Sequence, residues 1–162
     1  MKNKKLISGC VTLAGLVAVV IAMFVPYLKV VVKTSGFSGT EKYTLFNEDM
    51  LHADGQAWLT ISKIAIITLA VALLVAGLVM IYSSLTKKTP NWVSLVGVIT
   101  GLVAVVATIV LAGGMIGFGS ANRTVSETLG SVKLWGSVGF YLALVGGAVA
   151  SVFAVLPYFK KK

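Results

Sequence analysis

The stretch LISGCVTLAGLVAVVIAMFV, Leu6–Val25, runs for 20 residues without a charge. A helix needs about 20 apolar residues to cross the hydrocarbon layer of a membrane, because each residue advances it by about 1.5 Å. Three further apolar blocks follow, at Ile64–Tyr82, Val93–Met115 and Leu134–Leu156. A chain in lipid must satisfy its backbone hydrogen bonds internally, so each block is predicted to be a helix. The sequence therefore predicts an all-α membrane protein, a four-helix transmembrane bundle.

The composition agrees with a membrane protein. The chain has 162 residues, of which 57% are hydrophobic and 12% charged, whereas soluble domains carry about 25% charged residues. This length fits one integral membrane domain, 1–162. Within it we expect spans at about 6–25, 58–82, 93–117 and 134–156, an outer segment at 26–57 and an outer loop at 118–133.

The distribution of charge predicts the orientation. Eight lysines, and no acid, lie before the first span, between the second and third, and after the fourth: Lys2, Lys4, Lys5, Lys87, Lys88, Lys160, Lys161 and Lys162. Because lysine and arginine are retained on the cytoplasmic side, we expect a multi-pass protein of the plasma membrane with both termini in the cytoplasm. The formal net charge of +9 then indicates contact with anionic membrane lipids and not with nucleic acid.

The outer segment has the pattern of a β-hairpin. Tyr27–Thr34 and Thr40–Phe46 are rich in β-branched and aromatic residues, and the glycine-containing run Ser35–Gly39 separates them. Two such runs joined by a short loop predict paired strands, here a small extracytoplasmic β-hairpin cap. We expect it to expose a surface for interactions, made of Lys29, Lys33, Glu41, Tyr43 and Phe46.

Small residues recur along the spans at intervals of four. Such residues let helix backbones approach closely in lipid, where packing and not hydrophobicity drives association. The predicted packing positions are Ala14, Ala18, Gly97, Gly101, Gly139, Ala143 and Gly147. The pair Gly97 and Gly101 forms a GxxxG pattern, for which packing inside the bundle and dimerisation both remain open.

Lys63 is the charged residue closest to the interior of a span. A charge inside a membrane segment indicates a functional site by default. Its long stem can also carry the amine to the head groups, because Lys63 lies near the outer end of the second span. A polar vestibule at Lys63 and a lysine that reaches the interface therefore remain alternatives.

The sequence lacks the patterns of catalytic and metal sites. His52 has no neighbouring histidine or cysteine to complete a zinc site, and Gly36–Thr40 lacks the last glycine of a GxSxG elbow. Cys10 is the single cysteine, which excludes an intrachain disulfide. We expect no enzyme activity and no catalytic, metal or cofactor-binding residue.

Several short motifs carry a resemblance. Phe24-Val25-Pro26-Tyr27, a β-rich insert, Thr44-Leu45-Phe46 and then Asp54-Gly55 resemble small bacterial four-transmembrane-helix proteins of unknown function. The layout is also similar to that of claudins, which place a strand-bearing outer segment between spans one and two. The claudin signature, a tryptophan-glycine-leucine-tryptophan cluster with two cysteines, is missing, so the resemblance implies the architecture alone.

These features favour a non-enzymatic integral membrane protein that acts through protein–protein contacts. Its outer cap and small-residue helix faces would bind a protein partner, or a second copy in the membrane, as a subunit or accessory factor of a bacterial envelope assembly. One alternative is a small-solute channel or transporter subunit, with a polar lining of Lys63, Thr68, Thr100, Thr108 and Ser151. Another is a bacteriocin-immunity-type membrane protein.

Overall fold

The chain forms four helices and three strands. In a computed structural model, residues 2–34, 37–44, 53–86, 88, 90–125 and 131–159 are described. The elements in chain order are α1 (Lys2–Phe24), β1 (Leu28–Thr34), β2 (Phe37–Tyr43), α2 (Ala53–Leu85), α3 (Asn91–Val125), β3 (Ser131–Gly136) and α4 (Val138–Phe159).

Each helix contains a segment long and apolar enough to cross a membrane. These segments are Asn3–Phe24, Thr60–Leu85, Asn91–Gly114 and Val138–Tyr158. The prediction of four long apolar helices is confirmed. Large apolar side chains such as Ile64, Leu95 and Val145 are exposed on the outside of the bundle, as a surface in contact with lipid requires.

The helices run alternately up and down. α1 contacts α2 and α4, and α3 contacts the same two helices, while α2 and α4 also meet across the bundle. Gly9 near the start of α1 lies against Gly77 and Met80 near the end of α2, and Gly139 at the start of α4 lies against Ala22 near the end of α1. Neighbouring helices are thus antiparallel, and the first and last helices have their chain ends at the same end of the bundle.

The three strands form one antiparallel sheet in the order β2-β1-β3. β1 follows α1 and β3 precedes α4, so the sheet lies at the end of the bundle away from the start of α1; we call this the sheet end. Leu28 pairs with both Tyr43 and Gly136, and Lys33 pairs with Ser38 and Ser131. Only Ser35 and Gly36, which lie outside the described residues, separate β1 from β2, whereas a five-residue loop was expected.

The third strand was not predicted. We expected a loop over 118–133 and a span from 134, but α3 continues to Val125 and Ser131–Gly136 is a strand. Hydropathy assigns Leu134 and Trp135 to the next span because both are apolar. Their pairing with β1 places them instead at alternate faces of a sheet, and the preceding Lys133 shares the face of Trp135.

The core of the bundle is apolar and includes side chains of all four helices. Its largest members show less than 2% exposure and are Val19, Ile66, Leu69, Leu73, Met80, Leu111 and Phe140, together with Tyr27 at the end of α1. This filled interior stabilises the bundle through close packing, which transmembrane helices depend on because lipid is as apolar as their side chains.

Glycines allow the closest helix crossings. A Cβ atom on Gly15 would collide with the Cβ of Ala150 and lie 2.8 Å from the Gly146 carbonyl oxygen, so α1 and α4 approach each other backbone to backbone there. A Cβ on Gly146 would lie 2.9 Å from that of Ala18. The predicted positions in α3 also face neighbours, since Gly97 lies against the Tyr158 hydroxyl and Gly101 lies against Val155.

The remaining predicted packing positions lie mostly in α4. Ala143 is fully buried. A Cβ on Gly147 would lie 2.7 Å from a methyl carbon of Leu69. Gly139 meets the backbone of α1 and the residues that follow it.

Ala14 is exposed on the outside of the bundle, whereas a packing position inside the bundle would be buried. A step of four residues overshoots a full helical turn by about 40°, so a stripe repeated every four residues drifts around the helix. One row of α1 positions that face the bundle alternates steps of four and three instead. It consists of Ser8, Thr12, Gly15, Val19 and Ala22.

Candidate interaction surface

The sheet is joined to the bundle by backbone hydrogen bonds. The Ser137 N–H donates to the Tyr27 carbonyl at 2.8 Å, and the Gly139 N–H donates to the Pro26 carbonyl at 3.0 Å. These two bonds continue the β1–β3 pairing from Leu28 and Gly136 into the start of α4. The pairing runs without a break from the sheet into the bundle, so the sheet and the ends of α1 and α4 form one unit.

Tyr27 is the side chain that fills this junction. It is fully buried, and its ring meets Phe140 edge to face, with centroids 5.4 Å apart and planes at 73°. Its hydroxyl makes no hydrogen bond to any residue that the structure describes. Burial raises the pKa of Tyr27 to about 12; the nearby Ser62 hydroxyl opposes this rise, although the two groups do not meet the geometry of a hydrogen bond. Tyr27 is therefore a packing residue held neutral.

Lysine positions from all three strands lie on one face of the sheet. Residues alternate between the two faces along a strand, and residues paired in register share a face. The pairing places three rows on one face, which we call the lysine face: Lys42, Lys29 and Trp135; Thr40, Val31 and Lys133; and Ser38, Lys33 and Ser131. No acidic residue occupies any of these positions.

The lysine face is accessible at the side chains that the structure describes. Thr40 and Lys42 are exposed, and Lys29 and Val31 are half-buried. Lys29 stands directly opposite Lys42, and like charges at such a position destabilise a sheet. This pair of lysines therefore adds local positive charge to the face.

The predicted interaction residues do not lie together. Lys29 and Lys33 occupy the lysine face, but Glu41 pairs with Val30 and Tyr43 pairs with Leu28, which places both on the opposite face. Phe46 lies outside the described residues. The predicted surface is thus divided between two faces of the sheet.

Two lysine positions were missed. Lys42 joins the lysine face because β2 begins at Phe37 and pairs from Thr34 onward, a register that a five-residue loop would not give. Lys133 joins it through β3. The alternation of Val132 and Leu134 with Lys133 and Trp135 is the period-two signal that could have indicated this strand.

Lys63 lies near the beginning of the membrane segment Thr60–Leu85, at the sheet end. Its side chain is half-buried, and the residue before it, Ser62, is buried beside Tyr27. The position fits a lysine that reaches the interface as well as it fits a polar vestibule, so both interpretations stay open.

Three of the four hydroxyl groups proposed as a channel lining form hydrogen bonds within the bundle. Thr100 donates to the Val96 carbonyl at 2.8 Å. Thr108 donates to the Ala104 carbonyl at 2.9 Å, so its single proton is used. Ser151 therefore donates to Thr108 across 3.2 Å, which links α3 to α4.

Two apolar grooves lie side by side on the seam between α2 and α3. The larger has a volume of about 520 Å³ and the smaller about 340 Å³, and Thr68 and Val103 line both. The seam faces outward within the membrane segments. Among the described residues, no group of three or more histidine, cysteine or acidic side chains could hold a metal ion.

No protein-family model matches the chain, and a search of curated proteins gives no match.

Proposed function

We propose that this chain is a non-enzymatic protein of a bacterial plasma membrane that binds a protein partner through the lysine face of its sheet. It would serve as a subunit or accessory factor of an envelope assembly. The observation that carries the proposal is the collection of four lysine positions from three strands on one sheet face without an acid. Complementary charge steers association and selects the partner, so the partner should present an acidic surface.

The proposed orientation places the sheet outside the cell and both termini in the cytoplasm. Lys4 and Lys88 are exposed at the end of the bundle opposite the sheet, and the lysines outside the described residues, Lys87 and Lys160–Lys162, adjoin the same end in sequence. In the sequence, no acid occurs before α1, between α2 and α3 or after α4, and all five acids occur in the other two connections or beside them. Positive residues at the ends of spans favour the cytoplasmic side.

The sheet is rigidly attached to the bundle, which favours its use as a binding surface. The sheet is tied to α1 and α4 through the Ser137 and Gly139 bonds and through the packing of Tyr27 on Phe140. A binding site held by a rigid support loses little conformational freedom when the partner docks. The small-residue helix faces contribute by holding the bundle beneath this sheet together.

The structure gives less support to a passage through one bundle. Leu69, Leu73 and Phe140 fill the interior. The Thr108 and Ser151 hydroxyls bond to each other there, and Thr68 faces outward. In the described residues, therefore, no row of free polar groups crosses the bundle.

Removing charge from the lysine face should weaken partner binding. We expect the double substitution Lys29→Gln with Lys42→Gln to lower the recovery of the partner about tenfold, since two interface charges at about 0.7 kcal/mol each total about 1.4 kcal/mol. The measurement is quantitative co-purification of the partner after mild detergent extraction. High salt screens the charges of the lysine face, so the wild-type protein should also lose the partner when the experiment is repeated at high salt.

The control is Lys4→Gln with Lys5→Gln, which removes the same charge from the opposite end of the bundle and should leave recovery unchanged. A wild-type chain that is strictly monomeric and carries no partner would overturn the proposal. If the two double variants recover equal amounts of the partner, the lysine face is not the binding surface.

A further inference from the structure

The seam between α2 and α3 has the form of an elongated apolar channel open to the side. Its larger groove is lined by Ile61, Ile64, Thr68, Leu102, Val106 and Val110, among others. Its smaller groove continues along α2 to Val75. From Ile61 to Val75 the seam is about 21 Å long at 1.5 Å per residue.

Small side chains make the floor of this seam. Ala65 and Ala107 are 6% and 5% exposed and line the larger groove, and Ala72, at 5%, lines the smaller one. Larger residues at the same helices form the walls, since Ile64 and Val106 are 62% and 59% exposed. A recess bounded on both sides contacts an occupant on three sides, whereas a convex helix surface contacts it on one.

The position of the seam favours an apolar occupant. Every lining residue belongs to the membrane segments Thr60–Leu85 and Asn91–Gly114. Ile61 and Val110 lie toward the sheet end, where α2 enters and α3 leaves its membrane segment. The medium at this depth is hydrocarbon, about 15 Å of it for each leaflet of a core about 30 Å thick.

The single polar side chain of the larger groove does not call for a polar ligand. Thr68 is exposed and lies in a helix, where a threonine hydroxyl can turn to the carbonyl four residues earlier. Thr12, Thr100 and Thr108 do so, toward Ser8, Val96 and Ala104. The Thr68 hydroxyl can form the same kind of hydrogen bond to the backbone when an apolar chain covers it.

We propose that the α2–α3 seam is a lipid-binding site that holds one hydrocarbon chain of a phospholipid from the leaflet at the sheet end. The occupant lies along Ala65, Thr68 and Ala107 with its head group beside the beginning of the Thr60–Leu85 segment. Close contact with the walls holds it by dispersion, so it exchanges more slowly than the lipids around the other helices. This inference does not depend on the proposed partner of the lysine face.

Photo-crosslinking tests the seam directly. The purified full chain in mixed micelles is incubated with a phosphatidylglycerol that carries a diazirine in the middle of one acyl chain, and labelled peptides are mapped by mass spectrometry. We expect the label to concentrate on 61–75 and 99–110. The substitution Thr68→Phe fills the seam from an exposed position and should reduce that label at least fivefold.

Two control variants separate the seam from the general lipid surface. Ala14→Phe adds the same ring to an exposed position of α1 and should leave the label unchanged. Thr68→Val keeps the shape of the groove and removes the hydroxyl, so it should also leave the label unchanged. Equal labelling of all four helices, or an undiminished label in Thr68→Phe, would overturn the site; a loss in Thr68→Val as large as in Thr68→Phe would overturn its hydrocarbon occupant.

Discussion

Replacement of Gly139 with alanine should destabilise the protein by about 3 kcal/mol, the upper part of the range for overpacked sites. A Cβ atom at this position would lie 2.9 Å from the Ala22 carbonyl oxygen and 3.0 Å from those of Val25 and Pro26. Backbone carbonyls cannot rotate aside as the end of a side chain can. The Gly139 N–H also donates to Pro26, so any retreat of α4 breaks that bond. Thermal unfolding in detergent micelles measures the effect.

Gly113→Ala is the matched control for Gly139→Ala. A Cβ on Gly113 meets no atom within 4 Å, and alanine favours a helix over glycine by about 1 kcal/mol. We therefore expect the Gly113→Ala protein to unfold at the same temperature as the wild type or higher. Equal destabilisation by the two substitutions would show that α4 does not approach the end of α1 as closely as described.

Substitutions of Tyr27 should act in opposite directions. Tyr27→Ala removes a fully buried ring that packs on Phe140, and we expect a loss of about 3–5 kcal/mol, as for other large aromatic residues. Tyr27→Phe keeps the ring and removes a hydroxyl that has no hydrogen-bond partner among the described residues, so it should leave stability unchanged or raise it by about 1 kcal/mol. Chemical unfolding of the three proteins in the same micelles gives the comparison.

The pKa of Tyr27 adds a test by pH. Burial raises it from 10.0 to about 12, so the folded protein keeps this proton where the unfolded chain has lost it. Its contribution to stability is complete below pH 10 and falls between pH 10 and about 12. The wild type should accordingly lose more stability than Tyr27→Phe across this interval. Identical pH profiles for the two proteins would contradict the burial of the hydroxyl.

Hydropathy alone was sufficient to predict the four helices. Each contains an apolar segment of the required length, and the number of such segments does not depend on any tertiary contact. The limits of α3 and α4 were not predictable in this way, because Leu134 and Trp135 are as compatible with a strand as with a span. Their assignment depends on pairing with β1, a contact between residues about a hundred positions apart.

The composition of the candidate surface was less predictable than the presence of strands. Period-two alternation was enough to place Lys29 and Lys33 on one face. The faces of Glu41, Lys42 and Tyr43 depend on where β2 begins, and a slip of one residue exchanges all of them. Ala14 shows the equivalent limit for helices. It belongs to a regular row of small residues in α1, but whether that row faces the bundle depends on which helices pack against α1.

The accessibility of cysteines in intact cells tests the central claim most directly, namely a membrane-embedded bundle with its sheet outside. In a Cys10→Ala background, Lys42→Cys and Lys88→Cys place single thiols at exposed positions at opposite ends of the bundle. A membrane-impermeant maleimide should label Lys42→Cys in intact cells and Lys88→Cys only after permeabilisation. Labelling of Lys88→Cys but not Lys42→Cys in intact cells would contradict the account.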